Sequence, residues 1–87
     1  YAAMYLTYYA LTTAQKNQLV KQIAGAIKDK LNTTTNDEKK RQLALKIDSE
    51  LLDTASLCML EGQYDVGLFV LDVRDEALGY KEVSDSA

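Results

Sequence analysis

The chain has 87 residues, with 13 acidic against 10 basic side chains and a net charge of −3 at neutral pH. That is enough for one small domain and not two, and 47% hydrophobic with 26% charged residues is a globular balance, not a disordered one. A single cysteine, Cys58, excludes an internal disulfide, and the absence of histidine removes Cys/His zinc sites and the commonest general base.

The first stretch, Tyr1 to Leu11, reads YAAMYLTYYAL and holds four of the six tyrosines. On a helix Tyr1, Tyr5 and Tyr8 share a face, with Tyr9 beside it. Ala, Met and Leu favour helix here, while Tyr and Thr are weaker formers; a strand is the alternative, with no second strand obvious to pair with it. The run is far shorter than the roughly 20 residues needed to cross a bilayer, so no transmembrane helix is expected. Its rings either pack on the bundle or form an aromatic surface for a protein partner, since Tyr offers large contact area at low entropic cost. The chain starts at Tyr1 and not Met, as a processed form, a fragment or the ordered part of something longer would.

Thr12 to Gln15 fits a capping box, which either begins a new helix or marks a weak spot in a longer one, and an amphipathic helix is expected over 13–31. Leu19, Ile23, Ile27 and Leu31 recur at every fourth position, with Val20 and Ala24 beside them. Gly25 lowers helix propensity by about 1 kcal/mol relative to Ala, so close approach by a neighbouring helix is the expected reason for it. Asn32 to Asn36 is a polar break, and its Asn32-Thr33-Thr34 triplet matters only in a secretory protein.

Asp37 to Glu61 is the longest helical pattern and is read as the central helix, over 36–61. Thr35 with Glu38 suggests its capping box, and Asp37 and Glu38 suit the positive end of the helix dipole. Leu43, Ile47, Leu51, Ala55 and Cys58 line one face. Leu45, Leu52 and Met59 form a second line, which predicts neighbours on two sides. Gly62 stands where a left-handed residue is wanted at the helix end.

The last helix is expected over 65–78, capped by Asp65, with Val66, Phe69, Val70, Val73 and Ala77 at helical spacing. A buried strand over Val66 to Val73 competes, but no second strand is present to pair with it. Gly79 ends the helix, and 80–87 reads as a flexible acidic tail. Leu60 to Ala77 resembles the middle of a tetratricopeptide hairpin, where a Gly-x-Tyr turn links two antiparallel helices. Gly62 and Tyr64 match that turn, and Gly67 stands where the family usually has Ala. Arg74 departs from the small residue the family uses, and no 34-residue repeat occurs. The resemblance implies a helical hairpin and no repeat array.

Charge is divided along the chain. Residues 1–46 hold eight basic and three acidic side chains, a net of +5, and residues 47–87 hold two basic and ten acidic, a net of −8. The halves either fold onto each other with partial compensation or present opposite surfaces to partners or to further copies. Asp48, Glu50 and Asp53, and Asp72, Asp75 and Glu76, are carboxylate groups at close spacing. A small bundle offers little cleft for acid–base chemistry, so these read as solvated faces. Cys58 on an apolar face reads as a small core residue.

These observations predict an all-α fold: a single domain over 1–87, a small antiparallel bundle of three to four helices. The expected function is a non-enzymatic protein–protein interaction or structural subunit, binding another protein or itself, with no cofactor and no metal. Tyr1, Tyr5, Tyr8, Tyr9, Asp72, Asp75 and Glu76 are the candidate contact residues. The alternative is a small acidic regulatory binder, of the immunity, antitoxin or inhibitor type, docking on a basic partner. Nucleic-acid binding through the basic half, Lys16, Lys28, Lys39, Lys40 and Arg41, ranks third, against an acidic total.

Overall fold

The structure, a computed structural model, describes residues 2–81. It is all-α: α1 (Ala2–Tyr9), α2 (Thr13–Thr33), α3 (Asp37–Leu60) and α4 (Tyr64–Leu78), with no strand among the described residues. The strand alternative over Val66 to Val73 is thus replaced by helix.

Local hydrogen bonding explains where the helices start and stop. Thr12 Oγ1 accepts from the Gln15 amide at 3.1 Å, and Gln15 Oε1 accepts from the Thr12 amide at 2.9 Å. That is the reciprocal capping box. The start of α3 differs from expectation. Asn36, not Thr35, is the N-cap, and its Oδ1 accepts from the Lys39 amide at 3.0 Å. Glu38 instead turns to Arg41, accepting from its guanidinium at 2.6 and 3.2 Å. Arg41 holds the Glu38 carboxyl below the usual carboxylate range. At the other end Gly62 has φ +81°, the Gln63 amide donates to the Cys58 carbonyl and the Gly62 amide to the Met59 carbonyl. These two bonds are the Schellman pair. Asp65 does not cap α4. Gln63 holds the cap position without a side-chain bond, and Asp65 lies in the first turn.

Packing centres on α4, not on the longer α3. α4 runs along both α3 and α2, while α2 and α3 touch only briefly. Gly67 near Ala55 and Met59, and Arg74 bonded to Asp48, set α3 antiparallel to α4. Lys21 and Lys28 both reach Glu76, while Lys16 and Asn17 share a hollow with Asp65 and Asp72, so α2 runs parallel to α4. Gly67 is where the helices come closest: a Cβ there would lie 2.8 Å from Met59 Cγ and 3.1 Å from the Ala55 carbonyl oxygen. Gly25 is different, because a Cβ there meets nothing within 4 Å. No neighbour explains Gly25, contrary to expectation.

The buried apolar side chains are Val20, Ala24, Leu31, Ala55, Cys58, Val66, Val73 and Ala77. On α2 the buried stripe is therefore Val20, Ala24 and Leu31. Leu19 and Ile27 are half-buried, and Ile23 is exposed. Residues 82–87 of the expected tail lie outside the described residues. Tyr80 and Lys81, expected in that tail, are engaged: Arg74 lies 4.8 Å from the Tyr80 ring centroid, and Lys81 Nζ is 3.0 Å from Asp72 Oδ1.

Candidate interaction surface

The tyrosines of α1 fasten it to the start of α4. Tyr8 packs on Phe69 with ring centroids 5.5 Å apart and meets Tyr9 edge-on at 5.1 Å. Its hydroxyl donates to the Asp65 carbonyl at 3.3 Å, and Lys16 Nζ sits 4.1 Å from its centroid. The Tyr9 hydroxyl donates to Gln63 Oε1 at 2.9 Å. Partial burial, then the nearby Asp65 charge, pushes the Tyr8 phenol upward. Tyr5 is half-buried, and its phenol is pushed strongly upward, by loss of hydration and then by Cys58 and Glu61. Tyr1 lies outside the described residues. Three of the four tyrosines therefore have work within the fold, and Tyr9, 51% exposed, presents the most surface.

The acidic candidates are also tied into the fold. Glu76 is buried on α4, and its Oε1 lies 3.7 Å from both Lys21 Nζ and Lys28 Nζ on α2. Asp75 accepts from Arg74 at 3.2 Å and lies 3.9 Å from Lys81. Asp72 pairs with Lys81. Arg74 also donates to Asp48 of α3, which explains a large cation at the hairpin position where the tetratricopeptide pattern has a small residue. The structure brings Asp72 and Asp75 together around Lys81, but turns Glu76 inward. The Lys21, Lys28 and Asp48 partners are 26 to 55 positions away in sequence, so helical spacing alone could not find them.

The more prominent surface was only partly legible. Large apolar side chains face outward: Leu6, Leu45, Leu52, Leu57, Leu60 and Leu68, with Tyr9, Tyr64 and Tyr80. Leu45 and Leu52 stand seven residues apart, on one side of α3. The offset apolar line on α3 was the signal for them. Met59, in the same line, is half-buried against Gly67.

Between α2 and α3 lies an apolar hollow of about 450 Å³. Val66, Phe69, Val70 and Val73 of α4 form its floor. Leu19 and Ile23 form one wall, Leu51 and Thr54 the other, and α1 closes an end with Ala3, Met4, Thr7 and Tyr8. A second hollow of about 390 Å³ shares Leu51 and Thr54 and continues to Ile27, Lys30, Leu43, Lys46 and Ile47. A third, of about 310 Å³, is polar, with Lys16, Asp65 and Asp72 among its lining.

Among the described residues no group of three or more Cys, Asp or Glu is placed to hold a metal ion, and no helix is long and apolar enough to cross a membrane. No family model, curated protein or solved structure matches the chain.

Proposed function

We propose that this chain is a non-enzymatic interaction or structural subunit that works by covering its apolar surface with another protein chain. One observation carries the reading: the size distribution of apolar side chains is inverted. Of thirteen leucines, only Leu31 is buried, while six are exposed. The largest fully buried side chains are Val66 and Cys58. Single exposed leucines are ordinary. A bundle whose buried side chains are mostly Ala and Val, with six leucines half-buried and six exposed, leaves much of its hydrophobic gain to be made elsewhere. The acidic-binder alternative has less support, because Asp72, Asp75 and Glu76 already have cationic partners.

The test is binding of the dye ANS to the folded chain, with helix content and the melting transition followed on the same sample. The expected result is a cooperative transition together with dye binding that falls as the protein concentration rises or a partner is added. Cooperative melting of a monomer with no dye binding removes the reading. Dye binding without cooperative melting indicates a loosely packed state and also removes it.

A further inference from the structure

We infer that the trough between α2 and α3 is the docking site for the outer face of α3 of a second copy of this chain; the inference rests on the interaction reading above.

The trough has helix-binding dimensions. Its two hollows share the lining residues Leu51 and Thr54 and so lie next to each other. Along α2 it extends from Leu19 to Lys30, and along α3 from Leu43 to Thr54. At 1.5 Å per residue, eleven residues of either wall give about 16 Å, or three helical turns. The walls can stand apart because α2 and α3 each pack on α4 but touch one another only briefly. Ile23 and Met4 line the trough and are each 38% exposed, so the depression opens to solvent. Few polar groups point into its apolar half, and the Tyr8 hydroxyl is already committed to Asp65. A small molecule would find little there to orient it. An amphipathic helix needs no such groups, since apolar anchors at helical spacing suffice.

The matching helix face lies on the same molecule. The exposed side of α3 carries Leu45, Leu52 and Leu60, with the small exposed residues Ser49 and Ser56 between them. Small residues let another backbone approach closely. Asp53 borders this face and is exposed, and Lys30 is exposed at the open end of the trough. Neither has an ion-pair partner among the described residues. Lys46 stands at the same end, paired with Glu50 at a loose 3.9 Å. Glu50 lines the same end and offsets Lys46, so the net charge there is the single ammonium of Lys30, and an apolar helix bordered by a carboxylate meets an apolar trough bordered by that ammonium. The trough and the outer face are different sides of the molecule, so the contact is heterologous: each copy can receive one neighbour and offer itself to another.

Sedimentation velocity of the full chain over a wide concentration range tests this. One variant, L45E/L52E, spoils the outer face, and a second, I23E/K30E, spoils the trough. All four positions are exposed, and circular dichroism checks that both variants keep their helix. Expected is a wild-type mass that climbs with concentration without stopping at a dimer, two variants that are each monomeric, and an equimolar mixture that forms a heterodimer and stops there. A third variant, K30E/K46E, alters only exposed charges and is expected to weaken association by roughly tenfold, with recovery when its partner carries Asp53→Lys. A closed wild-type dimer, or a mixture that stays monomeric, overturns the inference. If the chain associates but none of these variants affects it, the trough contact is wrong while the interaction reading stands. A wild-type chain that is monomeric throughout and binds no ANS removes both.

Discussion

Gly25 and Gly67 form a matched pair from which a packing energy can be measured. Both are interior helical glycines, in α2 and α4, and neither has positive φ. Replacing such a glycine by Ala gains about 0.5–1 kcal/mol in backbone entropy and propensity. At Gly25 the new methyl meets nothing within 4 Å, so the whole gain is expected. At Gly67 it meets Met59 Cγ at 2.8 Å, Met59 Cε at 3.0 Å and the Ala55 carbonyl oxygen at 3.1 Å. Met59 is unbranched and can turn aside. The Ala55 carbonyl is α3 backbone and moves only if the helix moves. Overpacking of this kind costs about 1–3 kcal/mol. The propensity gain is common to both variants, so their difference is this packing cost alone. G25A is expected to be more stable than the parent by about 0.5–1 kcal/mol, and G67A to fall below G25A by about 1–3 kcal/mol. In a domain of this size 1 kcal/mol moves Tm by roughly 4–8 °C. Urea and thermal melts followed at 222 nm are the assay. Equal stabilisation by the two substitutions would refute the close α3–α4 contact at Gly67, and with it the account of how the hairpin packs.

Two further outcomes are expected. Asn36→Ala should cost about 1 kcal/mol in a urea melt, while Thr35→Ala should stay within about 0.5 kcal/mol, because Asn36 alone caps α3; the reverse order would restore Thr35 as the cap. Tyr5 and Tyr8 hold their phenolic protons more tightly in the folded chain than when unfolded. Raised phenol pKa values mean that the folded state binds more protons at high pH, so their contribution is full below pH about 10 and is lost as pH rises beyond that. Absorbance at 295 nm should therefore show late-ionising tyrosines whose signal appears together with loss of helix, and Y5F/Y8F should remove that late component. A single phenol step with helix intact would contradict the half-buried placement of these rings.

What the sequence made legible was governed by the range of the interactions. The Thr12–Gln15 box and the stops at Gly62 and Gly79 depend on residues within a few positions, and spacing was enough to find them. Thr35 reads as the cap because Glu38 three residues later imitates a capping box; a competing Arg41 guanidinium takes that carboxylate instead. The hydrophobic period gave the helices but not the facing sides. α2 carries adjacent apolar lines, Leu19–Ile23–Ile27 and Val20–Ala24, and only the position of α4 decides which one is buried. The same holds for the candidate contacts. Glu76 looks like an exposed acid beside Asp72 until α2 delivers Lys21 and Lys28 to it. Leu45 and Leu52 were legible as a second face, but the trough depends on how far α2 and α3 stand apart.

The position of α4 also bears on how the chain is made. It joins α2 and α3, yet it follows both in the sequence. During synthesis the two earlier helices appear first, with little surface to offer each other. At about 5–20 residues per second, the 15 residues of α4 take roughly one to three seconds to add. Throughout that interval the faces that later close over Val66 and Val73 are open to whatever waits beside the nascent chain. The order of elements thus places closure over Val66 and Val73 after α2 and α3 have been made.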